Sequence, residues 1–164
     1  MTIRFGLQVE EMFRDILTKT GIRQAEGDFN AEDLLGAAER VNPFRLRTCA
    51  KHYNPALLGS AALLDRVFGI DHMIDVAGTD KVYAAIDLTV NGTKVGEKLA
   101  KALRLKRLWR AIGVQHFFVV KVLGDPDALT PLGTKTIIDS LWSDLEKAFS
   151  TEPGGVHKIT ITIC

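Results

Sequence analysis

Three aspartates close together in the chain raise the question of chemistry. Asp87 lies within Tyr83-Ala84-Ala85-Ile86-Asp87-Leu88-Thr89-Val90. In an extended chain Val82, Ala84, Ile86, Leu88 and Val90 point to one side, and Tyr83, Ala85, Asp87 and Thr89 to the other. A carboxylate among apolar neighbours is costly to bury unless it is paired or holds a cation. In the preceding segment Asp71, Met73 and Asp75 share a face, so pairing of the two segments brings Asp71 or Asp75 beside Asp87. Two carboxylates converging on one side of a sheet form an oxygen-rich site suited to a hard divalent cation, Mg²⁺ or Mn²⁺. Plainer roles exist for two of them: Asp71 can end a helix-to-strand turn, and Asp75 can sit at a solvated hairpin end. Asp87 is harder to place in solvent.

The elements that must position these carboxylates follow from the pattern of residues. Ile70 to Ala77 and Lys81 to Val90 are β-branched and apolar, and Gly78-Thr79-Asp80 between them predicts a β-hairpin. A helix over Pro55 to Phe68 precedes it, with proline in the first turn and Gly69 after the end. Gly92-Thr93 leads into a long helix from Lys94 to Ile112, closed by Gly113. Gln115 to Leu123 reads as a strand buried on both faces, Thr134 to Phe149 as a helix and His157 to Ile163 as a strand. Upstream, helical spacing covers Leu7 to Thr20, a polar loop runs to Asn30, and Asn30 caps a short helix over Ala31 to Arg40. Arg45 to Cys49 reads as extended. Residues 1–54 are thus a mostly helical N-terminal part, and the order helices, then β-β-α-β-α-β, predicts a single α/β domain over 1–164.

Composition narrows the classes. The chain has 164 residues, 46% hydrophobic and 25% charged, with a net charge of +1. That balance suits one ordinary globular domain and excludes a polycation coating nucleic acid over its whole surface. Two cysteines, Cys49 and Cys164, are too few for a disulfide framework or a four-cysteine zinc site. No apolar run approaches the ~18 residues of a membrane span, and the N-terminus lacks a signal-peptide core, so a cytoplasmic setting without membrane partners is expected.

An aspartate near the start of one strand, Ala85-Ile86-Asp87-Leu88-Thr89 on the next, and a helix feeding a buried strand together resemble the PD-(D/E)XK superfamily, which includes restriction endonucleases and Holliday-junction resolvases. The resemblance covers about Pro55 to Leu123. It implies a restriction endonuclease-like core: a mixed β-sheet flanked by helices. Asp71, or else Asp75, resembles the first acidic residue and Asp87 the second, which implies a Mg²⁺ or Mn²⁺ site completed by the backbone carbonyl of Leu88. Of the acidic residues in the helix before the first strand, Asp65 is the nearest candidate for an added ligand.

The third motif position departs from the pattern, because Thr89 stands where the superfamily has a lysine. Some members supply that lysine from the following helix. Lys94, Lys98 and Lys101 lie on one side of the predicted helix, and Lys98, nearest the apolar face, is best placed to lean toward Asp87, with Lys94 as the alternative. The ordinary reading of such lysines is a solvated helix face. From Lys94 to Arg110 the basic residues are Lys94, Lys98, Lys101, Arg104, Lys106, Arg107 and Arg110, against Glu97 alone. This local excess beside a carboxylate pair suits a polyanion drawn to a cation-binding cleft.

Other signals carry less. Gly92-Thr93-Lys94-Val95-Gly96-Glu97-Lys98 is one residue short of a phosphate loop. His52, His72, His116 and His157 are dispersed without metal-ligand spacing. The reading is a metal-dependent nuclease hydrolysing DNA phosphodiester bonds through Asp71, Asp87 and Lys98 or Lys94. Its rival, motivated by Thr89, is a nuclease-fold protein without catalysis that binds DNA or serves in an assembly. Many nucleases of this fold are homodimers because a duplex has two strands, although no interface is assignable from these residues.

Overall fold

A computed structural model describes residues 2–20, 23–25, 29–30, 32–34, 36, 64–75, 83–90 and 94–163. Its centre is a five-stranded mixed sheet in the order β1 (Arg23–Gln24), β2 (His72–Asp75), β3 (Tyr83–Val90), β4 (Val114–Leu123) and β5 (Gly155–Thr162). β1 and β2, and β2 and β3, pair antiparallel, whereas β3, β4 and β5 are mutually parallel. The fold is α/β. β3 and β4 are buried on both faces, as their unbroken apolar runs require of parallel strands in the middle of a sheet.

One face of the sheet is covered by α1 (Thr2–Thr20) and α4 (Pro131–Phe149). Val9, Phe13, Ile16 and Leu17 of α1 and Ile137, Leu141 and Leu145 of α4 pack there on Ile86, Leu88, Phe118 and Val120. α4 starts where Thr130 accepts the Gly133 N–H on its Oγ1 at 3.0 Å and Pro131 fills the first turn. The opposite face is covered by α2 (Val95–Arg104), α3 (Lys106–Ala111) and a single π-type turn at Leu64–Phe68. Ala102, Leu105, Leu108, Trp109, Leu64 and Phe68 pack on Ala85, Phe117 and Val119 from that side.

Several expectations change. The helix predicted over Lys94 to Ile112 is two helices, broken at Leu105, whose φ of −94° and ψ of 7° leave the helical region. Leu105 is 4% exposed, and at the break the Trp109 indole N–H donates to Ala102 O at 2.7 Å. The side chain thereby meets the hydrogen-bonding need of a buried carbonyl beside the interruption. Arg23–Gln24, read as loop, pairs with β2 as a short edge strand. Of the helix predicted after Asn30, residues 32–34 and 36 are described and helical, and Asn30 Oδ1 accepts the Glu32 N–H at 2.8 Å. Only the last turn of the helix predicted over Pro55 to Phe68 is described. It ends at Gly69, whose φ of 74° lies in the left-handed region that a side chain disfavours. The turn Gly78-Thr79-Asp80, the stretch Arg45 to Cys49 and Cys164 lie outside the described residues.

Candidate functional site

The β2–β3 register decides which aspartates meet. His72 pairs with Ile86 and Asp75 with Tyr83, and the Asp71 N–H continues the ladder to Ile86 O at 2.8 Å. Asp71 is therefore opposite Asp87, on the face covered by α2. Their carboxyl groups share a hydrogen bond. Asp75 lies four positions along β2, about 13 Å away at strand spacing, so its candidacy as the partner of Asp87 is corrected.

Asp71 is fixed from below: its Oδ2 accepts the Leu88 N–H at 2.7 Å. Burial, and then the neighbouring Asp87 charge, push the Asp71 pKa up to about 8. Asp71 is thus the neutral member of the pair and donates to Asp87. Burial also raises Asp87, while the Lys98 ammonium pulls it back down. Asp87 is only 5% exposed, so its charge requires that partner.

Lys98 supplies it from the first turn of α2. Its Nζ donates to Asp87 Oδ1 at 2.6 Å and to Leu88 O at 3.0 Å. The lysine expected to lean toward Asp87 thus forms a direct ion pair with it. Lys94 is exposed at the start of α2, and the second lysine that Asp87 feels is Lys101. Lys101 Nζ lies 3.3 Å from the point a Cβ on Gly69 would occupy, and Asp87 Oδ2 lies 3.7 Å from the same point. Gly69 therefore leaves open the space in which Lys101 approaches the free side of Asp87.

The sequence reading missed Glu10. It projects from α1, hydrogen-bonds Asp71 and has a pKa raised first by burial and then by the charge of Asp65. Asp65 is exposed on the π-type turn. Glu10 sits 61 positions before Asp71, so no local spacing connects the two. Its one signal was an acidic residue beside Val9 and Phe13, the buried stripe of an amphipathic helix. Among the described residues no group of three His, Cys, Asp or Glu side chains is arranged to hold a metal ion. The oxygens of Asp71, Asp87 and Leu88 are nonetheless the donor type a hard divalent cation takes.

The basic residues separate by direction. Lys98 and Lys101 turn inward, half-buried, whereas Arg104, Lys106, Arg107 and Arg110 are exposed. Arg110 is partly committed to its own turn, donating to Gln115 Oε1 at 2.6 Å and to Val114 O at 3.4 Å. Thr89, at the position of the motif lysine, is 6% exposed on the Asp87 face of β3.

Histidines dispersed in sequence also meet. His116 Nδ1 and His157 Nε2 are 3.2 Å apart on the other face of the sheet, against Phe118 and Phe149. Parallel pairing of His116 with Gly155 makes this possible, since a Cβ at Gly155 would stand 2.8 Å from His157 Nε2. Burial lowers the pKa of both rings. Among the described residues no helix is long and apolar enough to cross a membrane. Comparison with family models, with curated proteins and with solved structures gives no match.

Proposed function

We propose that this protein is a nuclease-like phosphodiesterase of the PD-(D/E)XK type that acts on DNA. One observation carries the reading: Asp87 on β3 meets both Asp71 from the β2 entry and the Lys98 ammonium from α2. The order helix, β2, β3, α2–α3, β4 around them supports a restriction endonuclease-like core, and the exposed Arg104, Lys106 and Arg107 support an anionic partner.

In this reading Asp71 and Asp87, with Glu10 beside them, hold Mg²⁺ or Mn²⁺. Such an ion, when bound, polarises the phosphate and acidifies a water. The chain's own residues do the remainder. The Leu88 N–H orients Asp71, and burial keeps the carboxyl pair in a weakly screened setting where it favours a cation over solvent. Lys98 and Lys101 offset negative charge developing on the phosphate oxygens, the task that Thr89 cannot perform. The exposed arginines hold the flanking backbone.

Purified protein is expected to nick plasmid or branched DNA with Mg²⁺ or Mn²⁺ and not with EDTA, and Asp87→Ala is expected to abolish nicking. Cleavage retained by Asp87→Ala removes this reading. The rival, a DNA-binding protein of the same fold without catalysis, is favoured by the closed contact of Lys98 on Asp87 and Leu88. It predicts salt-dependent DNA binding with no cleavage by either protein.

A further inference from the structure

Lys98 holds two atoms that the proposed site needs for its cation. Its ammonium lies 2.6 Å from Asp87 Oδ1 and 3.0 Å from Leu88 O. These are the carboxylate and the carbonyl that would bind a divalent ion from the same side. Oxygen–metal distances of about 2.0–2.5 Å require the lone pairs that the ammonium now uses. Two cations cannot share that seat. We propose that the Lys98 ammonium is an internal stand-in for the divalent cation, so that metal and Lys98 exclude one another and Lys98 sets how weakly the free protein binds metal. This inference rests on the cation-binding reading of Asp71 and Asp87 given above.

The surroundings favour such an exchange. The Asp87 side chain is 7% exposed and that of Lys98 26%, so the lysine has a path outward that the aspartate lacks. Lys101 Nζ and Asp87 Oδ2 lie 3.3 and 3.7 Å from the same point beside Gly69, so an ammonium displaced toward that oxygen would meet the like charge of Lys101. Lys98 must therefore withdraw toward the mouth of the site. An anionic phosphate arriving there is the partner that stabilises the withdrawn position. Substrate backbone and metal then load together, and in the absence of a polyanion the lysine keeps the carboxylate neutralised.

Titration with Mn²⁺, followed by the loss of the free-ion EPR signal, tests the exclusion without any cleavage assay. Lys98→Met keeps the length of the stem and removes the charge. It is expected to bind Mn²⁺ about tenfold or more tightly than the parent chain, and adding Asp87→Asn is expected to cancel the gain. Lys98→Gln serves as the second variant if Lys98→Met does not fold, folding being judged by near-UV circular dichroism. Mn²⁺ affinity in Lys98→Met and Lys98→Gln no higher than in the parent, while Asp87→Asn alone weakens binding, overturns the exclusion and leaves the cation site standing. No Mn²⁺ binding by the parent or either Lys98 variant overturns the exclusion and the cation site together.

Discussion

At the scale of single residues, adjacent positions on β2 and its entry bury groups whose titrations oppose each other. His72 is 1% exposed, packs against Phe13 and has its pKa lowered from 6.5 to about 4 by burial and then by Arg14. Between those values the unfolded chain binds a proton that the native chain refuses. The His72 contribution to stability is therefore complete above pH 6.5 and is lost as pH falls through 4, to a total of about 3 kcal/mol. Asp71 works in the other direction. Its native pKa of about 8 against an ordinary 3.8 means that stability is lost as pH rises through that interval. The two slopes oppose each other between pH 4 and 6.5, and only the carboxyl slope remains from 6.5 to 8. Urea midpoints are expected to fall between pH 6.5 and 8 in the parent chain. In Asp71→Asn the fall should vanish and a rise between pH 4 and 6.5 should emerge. A parent midpoint that climbs toward pH 8 contradicts the assignment of Asp71 as the neutral member.

The break between α2 and α3 belongs to the scale of elements. From Lys94 to Ile112 nothing in the residue types interrupts a helix, since neither proline nor a residue in the left-handed region occurs there. The interruption comes from packing: Leu105 and Trp109 enter the core under the sheet, and the indole N–H serves Ala102 O. Trp109→Phe keeps an aromatic ring but leaves that carbonyl, in a residue 1% exposed, without its donor. The expected cost is about 1–3 kcal/mol, read as a lowered urea midpoint. A second test lies at the end of the π-type turn. Gly69→Ala forces a side chain into a φ of 74° and into the space beside the Lys101 ammonium. About 1 kcal/mol of stability should be lost on backbone grounds alone, and Mn²⁺ binding should change with it. An unchanged Mn²⁺ affinity in a folded Gly69→Ala protein would separate Lys101 from the site.

At the scale of the whole molecule, charge and topology divide the work. On the proposed DNA-acting function, replacing Arg104, Lys106 and Arg107 by alanine is expected to weaken binding to all duplexes alike. It should also lower the salt slope of log K by up to about 3, and leave Mn²⁺ affinity intact. A sequence-dependent loss would instead assign these residues to base reading. The topology itself has an unusual feature. β3, β4 and β5 are parallel and adjacent in that order, yet α2–α3 crosses one face and α4 the other. The two connections therefore have opposite hands, and only one can follow the right-handed rule.

Alternation along Tyr83–Val90 was enough to place Asp87 on the face opposite Ile86 and Leu88, and the apolar run Phe117-Phe118-Val119-Val120 was enough to make β4 a strand covered on both sides. Both follow from local periodicity, which the chain carries in itself. The reach of Lys98 back to Asp87 was also legible, since eleven positions span a strand end, a turn and the start of a helix that must return across the sheet. Spacing alone left Asp71 and Asp75 both open on one face, and the preference for Asp71 came from the resemblance; the register of β2 against β3 is what separates them. Glu10 and the His116–His157 pair lay further out of reach. They meet across long separations in the chain, through packing and strand order that no local pattern encodes. Local spacing decided which way each side chain faces; only tertiary structure decided which of those side chains share a buried site, where Asp87 raises the cost of charge on Asp71 and Lys98 lowers it on Asp87.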